Sequence, residues 1–373
     1  MSRNDTVNPE MIVLARQSRG YTQAELAKRV PMTPGWLSMV ESGIREIPYE
    51  KLAIVARELD YPVSFFYKSD RVLGAGVNEV FHRSRSKIPV KARDKDQAWC
   101  EITRQNLAAL LKGVDLGDIQ VPQYDLYEFD GNVGDIARAV RAKWQLPSGP
   151  VRNVVKVVEE AGAIVIPMDF ESALVDATSR WPSGMPPLIY MGLGFPSDRV
   201  RFSVCHELGH LVMHQNGPNP YQEDQANKFA AEFLMPEREI KPMLMGLTIP
   251  KLLTLKSYWK TSMQALLMRA KDTGMISDRH YRALWTEMGR SGYRTREPAE
   301  TDIPKEQPRL LQEIIGVYSG QMGYSVKDLA VLFDLHENEV CRLYFGANQS
   351  ASEAEIKDAI AQAEQILREY RTH

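Results

Sequence analysis

Apolar residues recur at helical spacing along most of the 373-residue chain, with only two short runs that read as strands. From Pro9 to Ser18, "PEMIVLARQS" sets Ile12, Leu14 and Ala15 on one stripe. "GYTQAELAKRV" restarts with Thr22 as N-cap and Glu25 three residues on, a capping box, and turns Leu26 and Ala27 inward. "PMTP" then breaks the chain. Thr33 caps a further helix, "PGWLSMVESG", with Leu37 and Val40 inward, and Gly43 ends it. "IPYEKLAIVARELDYPVSFF" adds a helix with Leu52, Val55, Ala56 and Leu59 as its core stripe. "AWCEITRQNLAALLKGV" reads as a long helix, and the segment from Val133 to Phe170 as helix, turn, helix and then a strand at Ala163 to Ile166. A polar loop holding Trp181 and several prolines leads to "LIYMGL", a second strand. After "QNGPNP", Asn219 as N-cap and Pro220 at the first helical position open a helix that stops before Pro236. The last helix spans about Ser352 to Tyr370, with Ile356, Ile360 and Ile366 docking it.

Composition bounds the chemistry. With 44% hydrophobic and 25% charged residues, the chain can bury more than one core and divides into two or three domains. "MSRNDTVNPE" has no apolar h-region, and no uncharged apolar run approaches the roughly 20 residues a membrane span needs, so a cytoplasmic location without a membrane partner is expected. Cys100, Cys205 and Cys341 are far apart, which points to buried thiols and not to a disulfide framework or thiolate metal site. The net charge of -2 hides a basic run: Arg71 to Lys95 holds seven Lys/Arg against two Asp/Glu, concentrated in "FHRSRSKIPVKARDK". Arg83, Arg85 and Lys87 there are suited to phosphate backbones, which they would attract without reading sequence.

The helices over residues 9 to 66, with T-Q-x-E-L-A, the turn, the helix ending E-S-G and the following I-P, resemble the lambda-repressor-like (Xre-type) helix-turn-helix family. That resemblance implies double-stranded DNA as partner. It makes "PGWLSMVESG" the recognition helix, whose outward Thr33, Gly35, Trp36, Ser38 and Met39 meet base edges in the major groove. Gln23 and Arg45 fall where the family commonly holds phosphates. The reading surface lacks the Arg, Asn and Gln suited to bidentate base readout, so modest sequence discrimination is expected. Residues 1 to 68 carry nine basic against eight acidic side chains, so the basic run is expected to supply affinity. Operators for such domains are often palindromic, which implies a homodimer.

A second stretch echoes the first. "GYSVKDLAVLFDLHENEVCRLYFG" from Gly323 aligns without a gap with "GYTQAELAKRVPMTPGWLSMVESG" from Gly20. At the recognition positions it has His336, Glu337, Asn338 and Glu339, and two carboxylates there would be repelled by phosphate. A packing or partner-binding module is expected, not a second reader.

Between these lies "SVCHELGHLVMH", residues 203 to 214. Residues four apart share a helix face, so His206 and His210 can direct imidazole nitrogens at one ion, with Glu207 beside it. Glu223, in the first turns of the next helix, can face back onto them. Two His and one Glu, with the fourth position left to water, form the ligand set of a catalytic zinc site and not a closed structural one. His214 continues the series, but each four-residue step drifts about 40° round the helix, so it turns away from the first two and is expected behind the ligands or at the surface, not as a ligand itself. Glu232 reads as a helix-surface residue. No residue for stabilising an oxyanion is identifiable from the sequence; Tyr190 and Arg201 are the polar candidates.

W-x-L-P-x-G-P at Trp144 to Pro150, R-F-x-x-x-H-E-L-G-H-L-x-x-H at Arg201 to His214, and E-x-x-A-N-x-F-A-A-E-F-L-M-P at Glu223 to Pro236 resemble the ImmA/IrrE family of zinc metallopeptidases. The resemblance implies that His206, His210 and Glu223 hold Zn2+ and that Glu207 is the general base. Cys205 stands where the family usually has a small residue; its direction, about 100° from His206, makes it a core residue. The expected fold is mainly α with a small β component. An all-α helix-turn-helix domain spans 1–70, a basic linker and long helix 71–127, an α+β zincin-like domain 128–245, and a helical module with the helix-turn-helix echo 246–373. The function this implies is a DNA-binding regulator with a zinc-dependent endopeptidase domain that cleaves a partner helix-turn-helix repressor or itself. The competing reading is a non-enzymatic transcription factor whose zincin-like domain senses a ligand or partner.

Overall fold

A computed structural model of the protein describes residues 6–73, 88–172, 174–215, 217, 219–346 and 353–371. It is mainly helical with one three-stranded sheet. The chain divides into two compact units: Met1–Ala75, Ser86–Asp115 and Leu311–His373 form the first, and Gly76–Arg85 and Leu116–Leu310 the second. These units cut the chain differently from the linear segments read off the sequence. Residues 246–310 belong with the central core, and the stretch from Leu311 onward belongs with the N-terminal helices.

In the first unit, α1 (Pro9–Ser18), α2 (Gln23–Arg29), α3 (Pro34–Glu41) and α4 (Tyr49–Glu58) begin and end where their caps require. Asn8 accepts a hydrogen bond from the Glu10 amide, Thr22 and Glu25 close a reciprocal capping box, and Thr33 accepts from the Trp36 amide. Gly43 takes φ +71°, the left-handed turn that lets the chain leave α3. The long helix α5 (Val90–Leu110) follows, enclosed along most of its length, with buried Glu101 forked to Arg104 and Asn106 donating to the Tyr344 hydroxyl.

The C-terminal helices α14 (Leu310–Met322), α15 (Val326–Phe333), α16 (Glu337–Tyr344) and α17 (Glu353–Arg371) repeat the order of the first four. Gly323 has φ +72° where Gly20 has +66°, and Ser325 with Asp328 forms a second capping box in place of Thr22 with Glu25. Leu329 and Ala330 are buried as Leu26 and Ala27 are. The two copies part company at α3 and its counterpart α16. Glu339 stands in place of Trp36, and it is buried, paired with Arg19 at 3.1 Å and with Arg342 at 2.5 Å. Both guanidinium groups lie over Trp99. The position that is outward in the first copy is thus spent on packing in the second.

The second unit starts with α6 (Val133–Lys143) and α7 (Val154–Glu160), which lead into β1 (Ile164–Met168). β2 (Ala177–Arg180) and β3 (Leu188–Gly192) complete a sheet of order β1-β3-β2. β3 runs parallel to β1, with Ile166 opposite Tyr190, and antiparallel to β2, with Ile189 opposite Ser179. β2 occupies part of the stretch expected to be loop. Its residues, "ATSR", have no alternating apolar pattern, because all four are buried. Then come α8 (Ser197–Met213), α9 (Gln222–Leu234) and α10 (Glu237–Ile240), followed by α11 (Ile249–Trp259), α12 (Met263–Asp272) and α13 (Asp278–Arg290). One apolar cluster joins them, running from Val140 and Val158 through Leu208, Phe229 and Phe233 to Trp259, Leu266 and Met288. Among the described residues no helix is long and apolar enough to cross a membrane.

Candidate metal centre and helix-turn-helix face

α8 starts after Pro196 and runs beneath the sheet to Met213, so His206 and His210 project from one face a turn apart. α9 lies against it closely enough to bring Glu223 to the same point. Gly209 permits that approach: a Cβ there would come within 3.1 to 3.2 Å of the Phe229 side chain. Gly209→Leu should therefore push α8 and α9 apart and cost about 1–3 kcal/mol, read as a lowered midpoint in chemical denaturation. A midpoint equal to that of the parent would show that the two helices do not depend on this close approach.

α9 begins at Gln222, two residues later than an N-cap at Asn219 predicts. Asn219 instead accepts a hydrogen bond from the Tyr221 amide at 2.8 Å and so caps the turn leading into the helix. The delay still leaves Glu223 in the first turn.

His206 Nε2 and His210 Nε2 lie 3.0 Å apart. The Glu223 carboxylate oxygens are 3.5 Å from the first and 3.4 Å from the second. Zinc bonds of about 2.0–2.1 Å at tetrahedral angles give donor separations of about 3.3–3.4 Å, so the three side chains match such an ion in chemistry and in spacing. His210 is buried, His206 and Glu223 less so, and the set opens on their side. Burial opposes protonation of His206, but its hydrogen bond to Glu223 and the charge of Glu207 outweigh it and raise its pKa. For the more enclosed His210 burial prevails, with help from the neighbouring His206, and the pKa falls.

The outward ring atoms are also engaged. His206 Nδ1 is 3.0 Å from Asn227 Oδ1, which reaches in from α9 one turn beyond Glu223. His210 Nδ1 is 2.9 Å from His214 Nδ1, and His214 Nε2 is 2.9 Å from Gln225 Oε1. Burial first, and then the adjacent His210, bring the His214 pKa down to about 4. Glu207 is buried beside the set and accepts a hydrogen bond from the Ser179 hydroxyl at 2.7 Å. Ser179 sits on β2, so the sheet holds this carboxylate in place. No short motif marks Ser179; its proximity comes from strand pairing 28 residues earlier in the chain.

Three further residues differ from or sharpen their expectations. Glu232 is not at the surface: it is buried, pairs with Arg138 at 2.6 Å and with Arg269, and accepts from the Glu237 amide. It ties α9 to α6 and α12. The reason is that α9 is packed on several sides, which a single helical stripe does not reveal. Arg201 is buried against Glu306 and the carbonyls of Val151 and Lys260, so it supports the fold away from the reacting end. Cys205 is buried in the core, and burial pushes its thiol pKa up.

In the first unit, Thr33, Gly35, Ser38 and Arg45 are exposed and Trp36 and Met39 half-buried. The Trp36 ring is flanked by two cations, Lys51 Nζ at 4.2 Å from its centroid and the Arg45 guanidinium at 6.0 Å. Gln23 donates its amide to Glu41 at 2.8 Å, and Glu41 is forked to Arg16. Arg83, Arg85 and Lys87 lie outside the described residues.

Comparison with family models accounts for both regions. Residues 12–66 match a model described as helix-turn-helix, and residues 158–271 match one described as a peptidase family's IrrE N-terminal-like domain. The second match takes in α8, α9 and their ligand set. None of the curated proteins compared matches the chain. The helix-turn-helix match supports DNA binding and the second a metallopeptidase-like fold. One chain thus carries an Xre-like helix-turn-helix region followed by an IrrE/ImmA-like region.

Proposed function

We propose that the protein is a DNA-binding regulator whose second unit is a zinc-dependent endopeptidase acting on a helix-turn-helix repressor or on the chain itself. The observation that carries this is the convergence of His206, His210 and Glu223 next to a buried glutamate that is not one of the three. A zinc ion held by these three supplies an acidified water and polarises the scissile carbonyl. Glu207, kept in place by Ser179, accepts the water proton as its oxygen bonds to the carbonyl carbon. It then delivers that proton to the nitrogen as the peptide bond breaks, leaving a carboxyl and an amine product. Asn227, with Oδ1 3.0 Å from His206 Nδ1, holds that ring so that Nε2 turns toward the ligand position.

The test is product formation: the full chain, loaded with zinc, is incubated with a purified helix-turn-helix repressor, and fragments are sought by mass spectrometry. A single cut that disappears on zinc removal supports the reading. No fragment of the repressor or of the chain itself overturns it and favours the sensor.

The first unit is proposed to bind an operator as a homodimer, presenting Thr33, Gly35, Trp36, Ser38 and Met39 to the major groove. Arg45 and Lys51, held against Trp36, and the basic run with Arg83, Arg85 and Lys87 serve the phosphates, with Gln23 at the rim. Replacing Arg83, Arg85 and Lys87 with glutamine should weaken binding to all sequences alike. It should also reduce the slope of log K against log salt by up to about 0.9 for each phosphate that is no longer neutralised, measured by fluorescence anisotropy. An unchanged slope would make the run a linker only.

A further inference from the structure

The third histidine of the series, His214, has no place among the metal donors, yet it is buried. Its Nδ1 faces His210 Nδ1, on the side of that ring opposite the Nε2 that lies near His206. It reaches this position because α8 stops one residue earlier. The His214 amide donates to the His210 carbonyl at 2.9 Å, and its own backbone, at φ -113° and ψ 56°, leaves the helix.

A neutral imidazole has one N–H, so a ring that offers Nε2 to a metal carries its hydrogen on Nδ1. For His210 that hydrogen points at His214 Nδ1, 2.9 Å away. Two nitrogens at this distance form a hydrogen bond only if one of them is bare. His214 must then carry its own hydrogen on Nε2, which points at Gln225 Oε1 at 2.9 Å. Gln225 Oε1 also receives the Asn219 amide at 3.2 Å, which fixes its carbonyl end toward the histidine. Each hydrogen in the series therefore has one direction, from His210 through His214 to Gln225, and the series joins the end of α8 to the start of α9.

We propose that His214 is a positioning residue for the metal: by accepting from His210 Nδ1 it selects the tautomer and ring angle that present His210 Nε2 as a ligand. This rests on the reading of His206, His210 and Glu223 as a zinc site. Gln225 in turn selects the tautomer of His214.

The test uses the near-isosteric pair His214→Asn and His214→Leu in the full chain. Asparagine places Oδ1 where the His214 acceptor lies; leucine fills similar space and accepts nothing. Zinc affinity is measured by competition with a chromophoric chelator at fixed pH, and thermal unfolding of the zinc-free proteins checks that both variants fold. His214→Leu should bind zinc about 10–100-fold more weakly than the parent, the range found when such outer partners are removed, and His214→Asn should recover most of the loss. Equal affinity in His214→Leu and the parent, or equal weakening in both variants, overturns the role of His214. A parent that binds no zinc at all overturns the site itself and the role with it, an outcome visible before any variant is compared.

Discussion

Glu207→Gln should keep its zinc and its DNA binding while peptide cleavage falls by at least the roughly 10²- to 10⁴-fold typical of a lost general base. The substitution is nearly isosteric, and its amide oxygen can still accept from the Ser179 hydroxyl that lies 2.7 Å from the native carboxylate. What it cannot do is take a proton from water. Because Glu207 stands outside the trio His206, His210 and Glu223, metal content should stay at the parental value. Parallel metal analysis, operator binding and a cleavage time course separate the possibilities. Undiminished cleavage would remove Glu207 from the chemistry. Intact promoter control in cells by Glu207→Gln, with no cleavage product from either protein, would show that the zinc-site unit works as a sensor or scaffold.

His210→Ala should take metal content from about one zinc per chain to nearly none. It deletes one of three donors and the most enclosed of them, since the His210 side chain is 0% exposed. Binding to the folded state alone also stabilises a protein, by about 4 kcal/mol at a free concentration a thousand times Kd. Added zinc should accordingly raise the unfolding temperature of the parent and leave that of His210→Ala where it was. Stoichiometric metal in the variant would falsify the ligand assignment.

The parts of this molecule that were legible in its sequence are those decided by neighbours along the chain. Thr22 with Glu25, Thr33 with the Trp36 amide, and the left-handed Gly43 set helix ends locally, and the first three helix-turn-helix elements formed where those residues placed them. The spacing of His206 and His210 put two nitrogens on one side of α8 for the same reason. Glu223 was within reach because its helix follows the first after a short turn, although Asn219 capped the turn and not the helix. What the sequence could not show depends on distant pairing. β2 has no pattern of its own and exists because β3 offers it a ladder, so Ser179 and its bond to Glu207 were invisible. Glu232 looked like a solvated residue because its partners, Arg138 and Arg269, lie 94 and 37 positions away. The grouping of Leu311–His373 with the first helices depends on the same kind of pairing, such as Glu339 with Arg19.

That grouping changes how defects in the gene should be understood. The first unit is assembled from three stretches of chain, and the third of them follows the whole of Leu116–Leu310. A premature stop codon between those for Asp115 and Leu311 would leave the first helices translated in full and yet deprive their unit of Glu339, Tyr344 and the lysine-binding carbonyl of Phe333. Such nonsense alleles would then sort with missense alleles of the first helices, and a genetic map ordered by phenotype would place the codons for the first stretch beside those from Leu311 onward.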